Sequence, residues 1–98
     1  MSTDRELLEL AAKAAGIEIV GWYENDSIIY AGVEPGAWNP LTDDGDALRL
    51  AVQLHISIRH LRRPGVVIAA SAVGIGYKDD RFAATRRAIV LAAAKGAK

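Results

Sequence analysis

The sequence predicts an α+β domain in which three helices pack on a four-stranded, mostly antiparallel sheet, in the order α-β-β-α-β-β-α. Three segments, at 3–16, 43–54 and 81–96, combine apolar residues at helical spacing with capping signals. Two pairs of short apolar segments lie between them, and a turn joins the members of each pair. Strands joined by short turns are antiparallel. A length of 98 residues, 51% of them hydrophobic, predicts a single domain that spans 1–98.

The first helix is predicted from its two ends. Thr3-Asp4-Arg5-Glu6 has the form of a capping box, in which the Thr3 hydroxyl accepts from the Glu6 backbone N–H. The helix then runs to Ala15, and Gly16 ends it in the left-handed conformation. Its inward residues are expected to be Leu7, Leu8, Ala11, Ala14 and Ala15.

The first hairpin and the second helix follow. Segments 17–24 and 27–31 are predicted strands around an Asn-Asp turn, and segment 32–40, with its glycines and prolines, is a predicted loop. The second helix is expected over 43–54, with acidic residues in its first turn that oppose the helix dipole. The expected apolar stripe of this helix contains Leu48, Ala51 and Val52.

The second hairpin and the third helix complete the order. Segment 55–61 is predicted to be a half-buried strand, 62–65 a turn and 66–72 a central strand. Segment 73–77 either continues that strand through a bend or forms a short separate strand. Residues 78–80 are expected to cap a third helix over 81–95, which Gly96 ends. Its expected stripe consists of Phe82, Thr85 or Arg86, Ile89, Val90 and Ala93.

Composition restricts the setting. The chain has no cysteine, which excludes disulfides and thiolate metal sites. The N-terminus lacks the basic-then-apolar order of a signal peptide, and no run of apolar residues is long enough to span a membrane. We therefore expect a cytoplasmic protein without a membrane partner.

Charge is unevenly distributed along the chain. Residues 1–49 hold ten acids and three bases, a net charge of −7, and residues 50–98 hold nine bases and two acids, a net charge of +7. The two halves can neutralise each other within one molecule, or they can form separate acidic and basic faces. The same split can act between copies. We expect a homodimer held mainly by apolar contacts, because a chain this short buries a small core.

Four residues are candidates for binding a ligand. Trp38 and Asn39 precede the second helix, where they either anchor the loop to the core or stack on and hydrogen-bond to a flat ligand. Arg86 and Arg87 are adjacent on the third helix, where they are either solvated or bind phosphate. Further bases at Arg59, Arg62, Arg63, Lys78 and Arg81 make the same region basic. The zero net charge and the few aromatic residues argue against general nucleic-acid binding.

No metal, cofactor or catalytic constellation is expected. The acids of the second helix do not form a calcium loop, since position twelve from Asp43 is Leu54. Gly74 and Gly76 lack the third glycine of a dinucleotide fingerprint. His55 and His60 are five residues apart and would point to opposite faces of one strand. No spacing indicates a catalytic triad or an acid pair, so binding is expected rather than catalysis.

Segment 38–51 reads Trp-Asn-Pro-Leu-Thr-Asp-Asp-Gly-Asp-Ala-Leu-Arg-Leu-Ala, and it resembles the signature of the phage ABA-sandwich domain family. Segments 3–16 and 83–90 agree with that family, and the layout is similar to phage NinX-like proteins. The resemblance implies a non-structural accessory protein that is made during infection and works in the bacterial host cytoplasm. It implies no catalytic residues. We expect such a protein to bind a host factor, as in counter-defence, or alternatively to sequester a nucleotide-like anion.

Overall fold

The computed structural model describes residues 3–30, 36–70, 73–77 and 80–96, and it confirms the α+β class with three helices. The described elements follow the order α-β-β-β-α-β-β-β-α. They are α1 (Asp4–Ala15), β1 (Ile19–Trp22), β2 (Ile28–Tyr30), β3 (Gly36–Trp38), α2 (Asp44–Gln53), β4 (Ile58–Leu61), β5 (Val66–Ala69), β6 (Val73–Gly76) and α3 (Arg81–Gly96).

The strands form two sheets, so the prediction of one four-stranded sheet was wrong in its strand count and in its grouping. The first sheet has the order β1-β2-β3 and the second has the order β4-β5-β6, with antiparallel pairing throughout. Each predicted hairpin gains a third strand. β3 lies inside segment 32–40, which was predicted to be a loop. For segment 73–77 the prediction allowed either a continuation of the preceding strand or a short separate strand, and β6 is the separate strand.

The Tyr30 side chain lies so close to position 36 that only a glycine fits there in β3. Gly36 pairs with Tyr30 in the register of β2 and β3, and the Tyr30 ring lies across it. A Cβ at position 36 would come within 2.5 Å of the Tyr30 hydroxyl oxygen. The glycine is therefore required by packing within a sheet, whereas in the sequence it indicated a loop.

Helix α3 connects two core clusters. The first cluster combines α1, α2, the first sheet and the C-terminal half of α3, and its buried residues are Leu7, Leu8, Ala11, Ala12, Ala15, Ile28, Trp38, Ala47, Leu50, Ala51, Ile89, Val90, Ala93 and Ala94. The second places the N-terminal half of α3 on the second sheet and consists of Val67, Ala69, Ala84 and Ala88. The small alanine side chains let the helices approach one another closely. Because α3 contributes to both clusters, the two sheets pack on the same helix.

The inward faces of α2 and α3 match the predicted stripes in part, because Ala51, Ile89, Val90 and Ala93 are buried as expected. Leu48 and Val52 are 61% and 67% exposed, and Phe82 is 68% exposed. The buried positions of α2 are Ala47, Leu50 and Ala51, of which the predicted stripe contained Ala51. The prediction gave weight to large apolar residues, but the packing buries the faces that carry Ala47 and Ala84 and leaves Leu48, Val52 and Phe82 exposed.

The predicted helix ends are largely confirmed. The Thr3 hydroxyl accepts from the Glu6 backbone N–H at 3.1 Å, and Gly16 has a φ of 73°. The Asp43 carboxylate accepts from the Asp46 N–H at 2.8 Å and so begins α2. At the start of α3, Asp80 accepts from two backbone N–H groups, each at 3.0 Å. Lys78 and Asp79, which were predicted to share this capping role, lie outside the described residues.

The strands are shorter than predicted. Residues 55–57 precede β4, because His55 has a φ of 55° and the Ile56 N–H donates to the Ala51 carbonyl of α2 at 2.8 Å. The predicted strand ends at Ala31, Ser71 and Ala72 lie outside the described residues. No helix in the part of the chain that the structure describes is long and apolar enough to cross a membrane.

Candidate binding groove

Trp38 and Asn39 are buried, each 7% exposed. Trp38 packs in the first core cluster, which confirms that this Trp belongs to the core. The Asn39 side chain accepts from the Leu41 N–H at 3.0 Å and donates to the Ser27 hydroxyl at 3.4 Å. These contacts fix the chain between β3 and α2, as expected for an anchor.

The backbone of Asn39 holds the start of α2 as well. Its N–H donates to the Asp46 carboxylate at 3.0 Å, and its carbonyl accepts from the Asp43 N–H at 2.9 Å. Asp46 also accepts from the Arg49 guanidinium at 2.7 Å. This hydrogen bond is the main reason that the pKa of Arg49 is raised above its ordinary value. The acidic residues of this segment thus have structural partners.

Arg86 and Arg87 point to different parts of the molecule. Arg86 donates to the Leu41 carbonyl at 2.8 Å and to the Asp44 carboxylate at 2.6 Å, so it joins α3 to the loop after Trp38. Arg87 donates to Asp4 at the start of α1, at 3.0 Å. Two ion pairs therefore connect the basic half of the chain to the acidic half. The ligand-binding role of Trp38, Asn39, Arg86 and Arg87 stays a prediction.

A groove opens between α2, α3 and β4, and Arg86 is the one predicted site residue that lines it. The groove has a volume of about 930 Å³. Helix α2 contributes Asp44, Ala47 and Leu48, β4 and the turn after it contribute Ile58, His60 and Arg62, residue Tyr77 follows β6, and α3 contributes Arg81, Phe82, Thr85, Arg86 and Ile89. Its size falls within the range of small-molecule and cofactor sites.

The register of the second sheet explains why the groove lies at β4. Ile58 pairs with Ala69 and His60 with Val67, so these four side chains share one face of the sheet. Helix α3 covers this face over β5, where Val67 and Ala69 are buried in the second cluster. Over β4 the same face is left open, because α2 stands away from it across the groove. Ile58 and His60 therefore line the cavity.

The groove combines positive charge with apolar and aromatic surface. Among the described residues, its lining includes Arg62, Arg81 and Arg86 and one acidic residue, Asp44. Asp44 pairs with Arg86, whereas the ion pairs found between described residues do not involve Arg62 or Arg81. An excess of positive charge beside an apolar floor favours an anionic or acidic partner.

His60 and Tyr77 form one polar side of the groove. The His60 Nδ1 atom and the Tyr77 hydroxyl are 2.8 Å apart, and the two ring centroids are 6.0 Å apart. The hydrogen bond holds both rings in place. Within the described ranges, no group of three or more His, Asp or Glu side chains is arranged to hold a metal ion. The groove can thus supply hydrogen bonds, positive charge and apolar contact.

Only part of this groove could be predicted from the sequence. It marked Arg62, Arg81 and Arg86 as basic and Ile58 as part of a half-buried strand, but it assigned Leu48 and Phe82 to the apolar stripes of helices. The walls come from segments 44–48 and 58–62, residue 77 and segment 81–89, which are brought together by tertiary packing. No model of a known protein family, no curated protein and no solved structure matches the chain significantly.

Proposed function

We propose that the chain acts by binding a partner protein in the groove between α2, α3 and β4. The observation that carries this proposal is the position of Leu48 and Phe82, which project from two different helices into one open groove while they remain 61% and 68% exposed. Large apolar side chains exposed around a concave surface are typical of protein interaction sites.

We further propose that the partner is a host factor and that the chain is a phage accessory protein that works in the bacterial cytoplasm, for example in counter-defence. This setting is supported by the resemblance of segments 3–16, 38–51 and 83–90 to the phage ABA-sandwich domain family. A binding role suits such a setting, because a small protein can block a larger host protein by occupying its surface.

The test compares two substitutions on one helix. Leu48 and Val52 are one turn apart on α2 and similarly exposed, but of these two only Leu48 lines the groove. Immobilised wild-type protein, Leu48→Glu and Val52→Glu are each incubated with bacterial extract, and retained proteins are identified by mass spectrometry. We expect a partner that the wild type and Val52→Glu retain and Leu48→Glu loses. A partner lost with Val52→Glu and kept with Leu48→Glu would place the interface elsewhere.

A second candidate function is the sequestration of a small nucleotide-like anion. Here the supporting observation is that three arginines, Arg62, Arg81 and Arg86, line the groove together with the aromatic residues Tyr77 and Phe82. Guanidinium groups bind phosphate through paired hydrogen bonds, and an aromatic ring can stack on a base.

Calorimetric titration with nucleoside mono-, di- and triphosphates tests this candidate. Arg81→Gln should weaken binding by about tenfold or more, because a charged hydrogen bond is lost. Arg59→Gln is the matched control, since Arg59 is exposed on β4 and pairs with Ile68 on the opposite face of the sheet. Equal losses for the two variants, or no binding by the wild type, would contradict a nucleotide site in the groove.

A further inference from the structure

One edge of β4 has backbone groups that point away from its sheet. The Ala70 N–H donates to the Ser57 carbonyl at 2.8 Å, so residues 57 and 70 form a hydrogen-bonded pair. The register then makes Arg59 and Leu61 the next residues of β4 that bond to β5. The N–H and C=O groups of Ile58 and His60 must therefore point away from β5. β4 is the end strand of the second sheet, and no described strand pairs with this edge.

This edge borders the groove. Just before β4, the Ile56 N–H points away from β5, as the N–H groups of Ile58 and His60 do. It donates to the Ala51 carbonyl near the end of α2, at 2.8 Å. Beyond that bond α2 and β4 separate, so that Ala47 and Leu48 line one side and Ile58 and His60 the other. The exposed backbone edge and the cavity thus run side by side along β4, and an extended segment placed there would contact both.

The charges along the edge indicate which segment fits. Arg62 follows the end of β4, Arg81 begins α3 across the groove, and Arg59 is exposed on the outer face of the strand. The described lining residues hold one carboxylate, Asp44, and the Arg86 guanidinium pairs with it. An extended segment that carries carboxylates would therefore be attracted to this edge, and a basic segment would be repelled.

We propose that the partner adds an extended, acidic segment to β4 as a fourth strand of the second sheet. This inference rests on the proposed protein-binding function and specifies its mode. Backbone hydrogen bonds to Ile58 and His60 would hold the segment, and its alternate side chains would point into the groove towards Leu48 and Phe82. Its carboxylates would lie near Arg62 and Arg81.

The test begins with a displayed library of random short peptides, selected on the wild-type protein. Selected peptides should be enriched in Asp and Glu that alternate with apolar residues. The best binder is then added to isotopically labelled protein, and amide hydrogen exchange is measured by NMR. The amides of Ile58 and His60 should become protected when the peptide binds, because they gain hydrogen bonds. Those of Arg59 and Leu61 should change little, since β5 already pairs with them.

Two variants at one position separate the backbone from the side chain. His60→Pro removes an outward-pointing N–H and no hydrogen bond of the β4–β5 pair, and proline is tolerated on edge strands. His60→Ala removes the ring and keeps the N–H. We expect His60→Pro to weaken peptide binding about tenfold more than His60→Ala does. A peptide with N-methylated amides should lose affinity for the wild type in the same way, which keeps the test valid if His60→Pro does not fold.

The outcomes are distinct. Peptide binding that leaves the Ile58 and His60 amides unprotected would overturn strand addition, while a partner that depends on Leu48 would still support the proposed function. Selection of peptides without acidic residues, or of none, would overturn the inferred chemistry. Protection of the two amides that appears in the protein alone and grows with its concentration would show that a second copy occupies the edge, which would also overturn the proposal.

Discussion

Replacement of Trp38 by alanine should strongly destabilise the fold. Trp38 is 7% exposed and is the largest side chain of the first core cluster, at the end of β3 and just before the Asn39 anchor. Truncation of a buried Trp to alanine costs about 3–5 kcal/mol, because apolar contact is lost and a cavity remains. Small domains have a free energy of unfolding of about 5–15 kcal/mol, so this is a large fraction of the total.

Urea denaturation followed by far-ultraviolet circular dichroism measures the loss without relying on tryptophan fluorescence, which the substitution itself changes. Tyr23→Ala is the control, since Tyr23 follows β1 and is 43% exposed, and it should alter the free energy of unfolding by less than about 0.5 kcal/mol. If Trp38→Ala does not fold at all, Trp38→Phe gives a smaller, measurable loss. A loss below about 1 kcal/mol for Trp38→Ala would refute the core assignment and would favour Trp38 as part of a ligand surface.

Three further predictions concern the cap, the anchor and the oligomeric state. Thr3→Ala removes the acceptor for the Glu6 N–H and should lower the free energy of unfolding by about 1 kcal/mol, measured by the same denaturation; no change would indicate a frayed end. Asn39→Ala removes the hydrogen-bond partner of the Leu41 N–H and of the Ser27 hydroxyl, so it should lower the free energy of unfolding by about 1–3 kcal/mol. An unchanged denaturation midpoint would contradict this anchoring role. Sedimentation should detect a dimer that persists from about 0.1 M to about 1 M salt, although the electrostatic screening length falls from about 10 Å to about 3 Å. Dissociation at high salt would place the interface on charged residues, and a monomer at every salt concentration would exclude the dimer.

Local signals predicted the helices well, because a cap depends on residues within one turn. Thr3, Gly16 and Asp43 each act at the helix end that the sequence indicated. The two third strands were harder to predict, since Gly36 in β3 and Gly74 in β6 are typical of loops and bends. Whether a glycine marks a loop or a close approach depends on a side chain elsewhere, here Tyr30 for Gly36.

The exposed apolar residues show a second limit of the sequence. Spacing on a helix gives a set of possible faces, but the partner surface decides which face is buried. The alanines of α2 and α3 allow close packing, so Ala47 and Ala84 are buried while Leu48 and Phe82 are exposed. The basic residues could be recognised from the sequence. Their convergence with apolar residues in one groove could be seen only in the tertiary structure.

Hydrogen exchange of the complex, measured by mass spectrometry, tests most directly whether the groove is the binding surface. The partner retained by the wild-type protein is added back, and exchange is compared with that of the protein alone. Protection should appear in segments 44–48, 58–62 and 80–89, which line or border the groove, and segment 19–30 of the first sheet should be unchanged. Protection confined to segment 19–30, with the groove segments exchanging as before, would contradict the proposed site.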